Sequence, residues 1–224
     1  MVIMKNTLII GNSGGVGAAL EAQYQAQGWY CTGICRQHDG LELREPDTIK
    51  SVLATIDGPF DTVVIATGAL CIDGYTPEKT IKSLTHQGIE DQMLINAIGP
   101  ALILSQIGRL LPRKTEARIA VLSARVGSIA DNKLGGWISY RAAKAALNQI
   151  VRTSAIELSR SHPLLSCISL HPGTVETRLT KAFLKNNRSL PPDQASEMLY
   201  EVIERRTPGD TGKFFDQNGL EIPW

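Results

Sequence analysis

The apolar run Thr7-Leu8-Ile9-Ile10 passes directly into Gly11-Asn12-Ser13-Gly14-Gly15-Val16-Gly17. That segment leads into the helix-forming stretch Ala18-Ala19-Leu20-Glu21-Ala22-Gln23-Tyr24. A short run rich in branched aliphatics and closed by glycine reads as a buried strand. A strand that bends at glycines and restarts as a helix is a βα unit, and it commits the chain to a layered sheet. The glycines permit a tight turn and close backbone approach. Unpaired N–H groups of the helix's first turn, reinforced by the helix dipole, attract a pyrophosphate. Gly11, Asn12, Ser13, Gly14, Gly15, Val16 and Gly17 are therefore candidates for holding a dinucleotide. Two spacings fit, Gly11/Gly15/Gly17 and Gly11/Gly14/Gly17, and the sequence does not choose between them. An ordinary glycine-rich βα turn is the competing reading.

The same alternation runs along the whole chain. Strand-like runs at 29–35, 60–66, 119–123, 165–170 and 213–215 are separated by helix-like segments at 46–56, 90–111, 140–160 and 192–205, with a polar stretch at 73–87. The pattern predicts a single-domain α/β fold over residues 1–224, a Rossmann-type doubly wound parallel sheet with helices on both faces. With 224 residues there is room for one such domain and not for two comfortable ones.

A net charge of +1 gives no electrostatic reason to expect nucleic acid or an anionic membrane as partner. No apolar stretch approaches a membrane span, and no signal-peptide pattern precedes the first strand. Cys31, Cys35, Cys71 and Cys167 are scattered without metal-ligand spacing, which suits reduced thiols in a cytoplasmic protein and argues for no bound metal.

In Tyr140-Arg141-Ala142-Ala143-Lys144 a phenol and an amine stand at i and i+4 on one helix face. An ammonium beside a phenol favours the phenolate and lowers a pKa that is ordinarily about 10. Alone, such a pair is common on solvated helix faces. Strand two ends Ile34-Cys35-Arg36-Gln37, so Arg36 is placed to fork onto a ribose 2′-phosphate, favouring NADP over NAD.

Taken together, the glycine turn, the Tyr140/Lys144 pair, Asn96 in Ile95-Asn96-Ala97-Ile98-Gly99-Pro100, and His171-Pro172-Gly173-Thr174-Val175-Glu176-Thr177 resemble the short-chain dehydrogenase/reductase family in order and interval. The stretch from Arg125 through Asn132 to Trp137, and the ending Phe215-Asp216-Gln217-Asn218-Gly219-Leu220-Glu221-Ile222-Pro223-Trp224, are similar more narrowly to the C-factor-like carbonyl reductases. The resemblance implies hydride transfer between nicotinamide and a small carbonyl or alcohol. Tyr140 would be the general acid, Lys144 would hold the nicotinamide ribose and tune the phenol, and Asn96, at a helix irregularity, would place a relay water. It further implies cofactor contacts at Glu42, Leu43, Ala66, Thr67, Gly68, Pro172, Gly173, Val175 and Thr177, besides Asn96, Tyr140 and Lys144. A short substrate lid would span about 178–192, with Trp137, Leu179 and Phe183 on its apolar wall.

Two features depart from the family pattern. Ala124 stands where the family places a catalytic serine, leaving Ser123 as the nominal hydroxyl, Ser128 as a second, or none. Ile65-Ala66-Thr67-Gly68 replaces the family's Asn-Asn-Ala-Gly turn, so the usual asparagine bracing is missing. These departures motivate an alternative, an NADP(H)-binding signalling or sensor protein with little catalysis. A nucleotide-sugar epimerase fits the glycines but lacks room for a substrate domain. Surplus apolar positions on the long helices, Ala145, Ala146, Leu147, Ile150 and Val151, predict a homodimer, with a homotetramer as the alternative.

Overall fold

The computed structural model describes residues 4–181 and 189–224. Strands β1 (Asn6–Ile10), β2 (Tyr30–Ile34), β3 (Thr62–Ile65), β4 (Ala117–Leu122), β5 (Leu165–His171) and β6 (Phe214–Asp216) form one parallel sheet. Their order is β2-β1-β3-β4-β5-β6. The chain winds outward from β1 in both directions, so the switch point lies between β1 and β3. At their carboxyl ends the connections part and leave a crevice.

Helices α1 (Gly15–Ala26) and α7 (Pro192–Glu204) cover one face, while α3 (Pro46–Ala54), α5 (Gly99–Ile107) and α6 (Ile138–Leu158) cover the other. Strand alternation assigns the side chains. Ile9, Val64, Ala120 and Ile168 pack on Leu20, Tyr24 and Leu199, whereas Leu8, Ile10, Val63, Ile119 and Val121 pack on Ile103, Ile107, Leu147 and Val151. Each fully buried leucine or isoleucine contributes roughly 1.5–3 kcal/mol.

Strand boundaries fall within two residues of those read from the sequence. The short helix α2 (Arg36–Asp39) went unread; it is a single turn closed by the Asp39 carboxylate, which accepts the Cys35 N–H at 2.8 Å. The long helix read at 90–111 begins earlier, as α4 (His86–Met93), because the Thr85 hydroxyl caps the Gly88 N–H at 3.0 Å. It then passes through a π turn, Leu94–Ile98, before α5.

Two expectations need correction. The helical run His86–Leu110 is, by length and composition alone, long and apolar enough to span a membrane, although no apolar stretch was expected to approach that length. Its residues Ile103, Ile107 and Leu110 are spent on the sheet. Of the apolar positions assigned to a subunit contact, Leu147 and Val151 are core residues, leaving only Ala145, Ala146 and Ile150 partly exposed. The second stripe that motivated pairing is therefore narrower than the sequence suggested.

Candidate active site

The glycine turn is imposed by its surroundings. Gly11 takes φ +96°, and a Cβ there would lie 2.9 Å from the Ala66 carbonyl oxygen. At Gly17 a Cβ would come within 2.3 Å of the Gly11 carbonyl, and at Gly15 within 2.6 Å of the Thr177 methyl. Gly14 is the least constrained, with its nearest neighbour at 3.3 Å, and as N-cap of α1 it supplies no side chain to cap the first-turn N–H groups. Both sequence spacings therefore have a physical basis. Asn12 turns away from the crevice: its Nδ2 donates to Glu21 at 2.9 Å and packs over Gly33, holding α1 to β2. Val16 likewise packs against the core.

Beyond the switch point a crevice of about 370 Å³ opens. Gly11, Ser13 and Gly14 form one wall, Ala66, Thr67 and Gly68 another, and Arg36, Glu42 and Leu43 the far end. The exposed Arg36 guanidinium lies 3.5 Å from the Glu42 carboxylate. Arg44, also on the wall, is held by Asp73 at 2.7 Å and Asp91 at 3.6 Å.

Asn96 is fully buried within the π turn. Pro100 lies four residues on and has no N–H to give the Asn96 carbonyl, so the α-helical ladder is interrupted there. The Asn96 side chain closes a ring with Ala69: Nδ2 donates to the Ala69 carbonyl at 2.8 Å, and Oδ1 accepts the Ala69 N–H at 3.0 Å. The second Nδ2 hydrogen goes to Gln92 Oε1 at 2.6 Å. Asn96 thus braces from outside the turn that lacks its own asparagines.

Tyr140 and Lys144 are both buried on the inner face of α6. The Lys144 amine lies 6.0 Å from the Tyr140 ring centre and donates to the Leu122 carbonyl at 3.1 Å, at the end of β4. A Cβ on Gly68 would sit 3.4 Å from that amine, so Lys144 also reaches the loop after β3. Gly127 lets the β4–α6 loop lie against the Lys144 backbone, where a Cβ would stand 2.8 Å from its carbonyl carbon. The Trp137 ring meets Tyr140 edge to face at 6.3 Å. Burial pushes the Tyr140 phenol well above its ordinary value and pushes Lys144 down to about 8. The phenol is thus raised, where the i,i+4 spacing alone implied a lowering, and burial is the cause.

Strand alternation also bears on the hydroxyl. Ala117, Ile119 and Val121 face α6, and the Ser123 N–H extends the ladder to Leu170 at 2.8 Å. Ser123 therefore continues on the α6 face, with Ala124 on the other. The Ser123 Oγ is buried and has no partner among the described residues. Ser128 is committed elsewhere: its hydroxyl donates to the Pro223 carbonyl and accepts the Asp131 N–H at 3.1 Å.

After β5, Pro172 and Gly173 (φ +79°) turn the chain beside Gln217. The buried Val175 accepts the Thr180 hydroxyl on its carbonyl, and Thr177 lays its methyl against Gly15. Of the expected lid, both flanks are described. Thr177 to Lys181 make a helical turn, and Leu190 pairs with Thr174 and Glu176 through bonds of 2.8 and 2.9 Å. Phe183, and 182–188 as a whole, lie outside the described residues.

The sequence reading missed Gln92 and Glu78. Gln92 is detectable in retrospect as a polar residue one turn before Asn96 on a buried helix face. Glu78 sits in an aperiodic polar stretch that carries no such signal, yet it is buried against the start of α6.

A parallel sheet wound outward from a glycine turn, with a buried phenol and amine on the helix after β4, defines a Rossmann-type domain of the dehydrogenase kind. Residues 40–188 match the short chain dehydrogenase family, and the chain belongs to it. The chain is 27% identical to 1-hydroxy-2-glutathionyl-2-methyl-3-butene dehydrogenase of Rhodococcus sp. (strain AD45), over 99% of this chain and 100% of that protein. It is 38% identical to C-signal of Myxococcus xanthus, over 58% of this chain and 75% of that one. Among solved structures, a short-chain dehydrogenase/reductase from Burkholderia multivorans with bound NADP superposes with a TM-score of 0.83 at 26% identity, covering 99% of this chain and 100% of that one. The NADPH-bound carbonyl reductase from chicken fatty liver shares the fold, with a TM-score of 0.83 at 19% identity, covering 100% of this chain and 96% of that one.

Proposed function

We propose that this protein is an NADPH-dependent oxidoreductase that reduces a carbonyl to an alcohol, or runs the reverse, with Tyr140 as general acid–base. The observation that carries the reading is the burial of a phenol and an amine together on α6, the amine reaching the carboxyl ends of β3 and β4. Burying two such groups is costly for packing alone and is characteristic of sites built for proton transfer.

The crevice fits a dinucleotide on its own evidence: neighbouring backbone crowds Gly11 and Gly17, the Thr177 side chain crowds Gly15, and an arginine stands at the far end. Bound there, the nicotinamide supplies the hydride. Arg36 would hold the 2′-phosphate, in keeping with the NADP bound to the Burkholderia relative. Glu42 and Leu43 would border the adenine, while Val175 and Thr177 would meet the carboxamide and pyrophosphate. Lys144 would hold the ribose. Tyr140, kept neutral by burial across physiological pH, is suited to donate its proton to a carbonyl oxygen as the alcohol forms. With the Asn96 carboxamide committed to Ala69 and Gln92, a proton relay would run through the Asn96 backbone carbonyl, to which Pro100 gives no i+4 N–H. Ser123 remains the nominal hydroxyl. The substrate would be small and would sit against Trp137 and Leu179. A cytoplasmic homodimer paired through α5 and α6 belongs to the same proposal, and light scattering at micromolar concentration tests it.

The deciding experiment is Tyr140→Phe. Turnover across a panel of aldehydes and ketones should fall at least about a hundredfold, with NADPH affinity retained. Turnover equal to wild type would overturn the assignment. The resemblance to C-signal and the alanine at 124 favour a second reading, an NADP(H)-binding signalling protein. It predicts cofactor binding by the wild type without turnover anywhere on that panel.

A further inference from the structure

We propose that Glu78 is a positioning residue for Tyr140, acting by capping the first turn of α6 through Ser139. The proposal rests on the reading of Tyr140 as the acid–base. The N-cap residue of α6 is Trp137, at φ +52°, whose indole N–H can donate but cannot accept a first-turn N–H as a serine or aspartate would. Gly135 (φ +64°) and Gly136 (φ +66°) precede it, so three successive residues take left-handed conformations before the helix begins. A helix start of this kind leaves its early N–H groups without partners.

Glu78, from the segment between β3 and α4, provides the partners. Its Oε2 accepts the Ser139 N–H at 3.3 Å, its Oε1 accepts the Ser139 hydroxyl, and its backbone carbonyl accepts the Trp137 N–H. The Tyr75 hydroxyl holds Oε1 from the other side at 3.2 Å. Burial pushes this carboxyl up, but the Ser139 hydroxyl, the Glu78 and Ser139 backbone N–H groups and the Tyr75 hydroxyl together outweigh it and keep the group below its ordinary value, ionised at the positive end of the helix. Ser139 immediately precedes Tyr140, so any rotation of the turn it anchors moves the phenol. Small displacements of a reacting group can cost about a hundredfold in rate without touching affinity.

The test measures kcat, carbonyl KM and NADPH affinity for Glu78→Gln, Ser139→Ala and the double variant, with Tyr140→Phe as control. Glu78→Gln should lower kcat at least about tenfold while NADPH affinity and carbonyl KM stay within about threefold of wild type. Ser139→Ala should lose less, and the double variant should lose no more than Glu78→Gln, because both act through one contact. A wild-type kcat in Glu78→Gln, additive losses in the double variant, or a loss shared equally with NADPH affinity would each overturn the proposal. If Glu78→Gln does not fold, Ser139→Ala decides: a kcat loss of about threefold or more at unchanged affinity supports the clamp, and a wild-type kcat overturns it. An active Tyr140→Phe would instead sink the reading of Tyr140. An inactive Tyr140→Phe beside fully active Glu78→Gln and Ser139→Ala would sink the clamp alone.

Discussion

The Arg36 guanidinium stands 3.5 Å from the Glu42 carboxylate at the far end of the crevice, so its charge is shared before any ligand arrives. Arg36→Ala should weaken NADPH binding by about tenfold or more and NADH binding by less than about twofold. Glu42→Gln should do the opposite for NADPH and tighten it a few-fold, because the guanidinium is released for a phosphate. Fluorescence titration with both nucleotides checks this, and equal losses for the two in Arg36→Ala would defeat it.

Asn96 joins helix and loop through its two bonds to Ala69. Replacing it with alanine strands a buried donor and acceptor, which should cost roughly 2–4 kcal/mol in urea unfolding. Both kcat and cofactor affinity should fall, since the loop it braces lines the crevice. A variant with unchanged stability would show that the ring is not formed in solution.

Gly15 and Gly17 should differ in how they can be rescued. A Cβ on Gly15 meets only the Thr177 side chain, whereas one on Gly17 meets the Gly11 backbone. NADPH binding lost in Gly15→Ala should therefore return in part when Thr177 is also changed to serine, which removes the obstructing methyl. Gly17→Ala should resist rescue by any neighbouring change. Isothermal titration of the paired variants separates the cases.

Lys144 makes stability depend on pH. Burial holds its folded-state value at about 8, below the ordinary value near 10.5. Between those values the unfolded chain binds the extra proton, so this residue makes stability rise as pH increases from about 8 toward 10. Lys144→Met should flatten that rise in denaturant titrations at pH 7, 8.5 and 9.5. An equally steep rise in the variant would place its origin elsewhere.

If Ser123 supplies the hydroxyl, Ser123→Ala should lower kcat by about tenfold or more, and Ala124→Ser should change it little. The reverse outcome would mean that the chain leaves the strand's alternation just where the site begins.

The strands and the glycine turn were readable from sequence because their physics is local: hydrophobic period, glycine, and a strand that runs into a helix. Tyr140 and Lys144 were readable for the same reason, being one turn apart. The direction in which the phenol is shifted was not, since it depends on how deeply α6 is buried, and no spacing reports that. Ser128 looked free in sequence because its partner, Pro223, lies far along the chain. Glu78 was invisible because nothing near it in sequence announces that it will meet the start of another helix.

The break in the α-helical ladder at Asn96 follows from a missing hydrogen on Pro100, not from any arrangement of neighbours. Side chains around it can be exchanged for others of similar bulk without restoring that i+4 bond. An engineer reshaping this protein for a new substrate can therefore treat the π turn as fixed covalent hardware and redesign the walls around it.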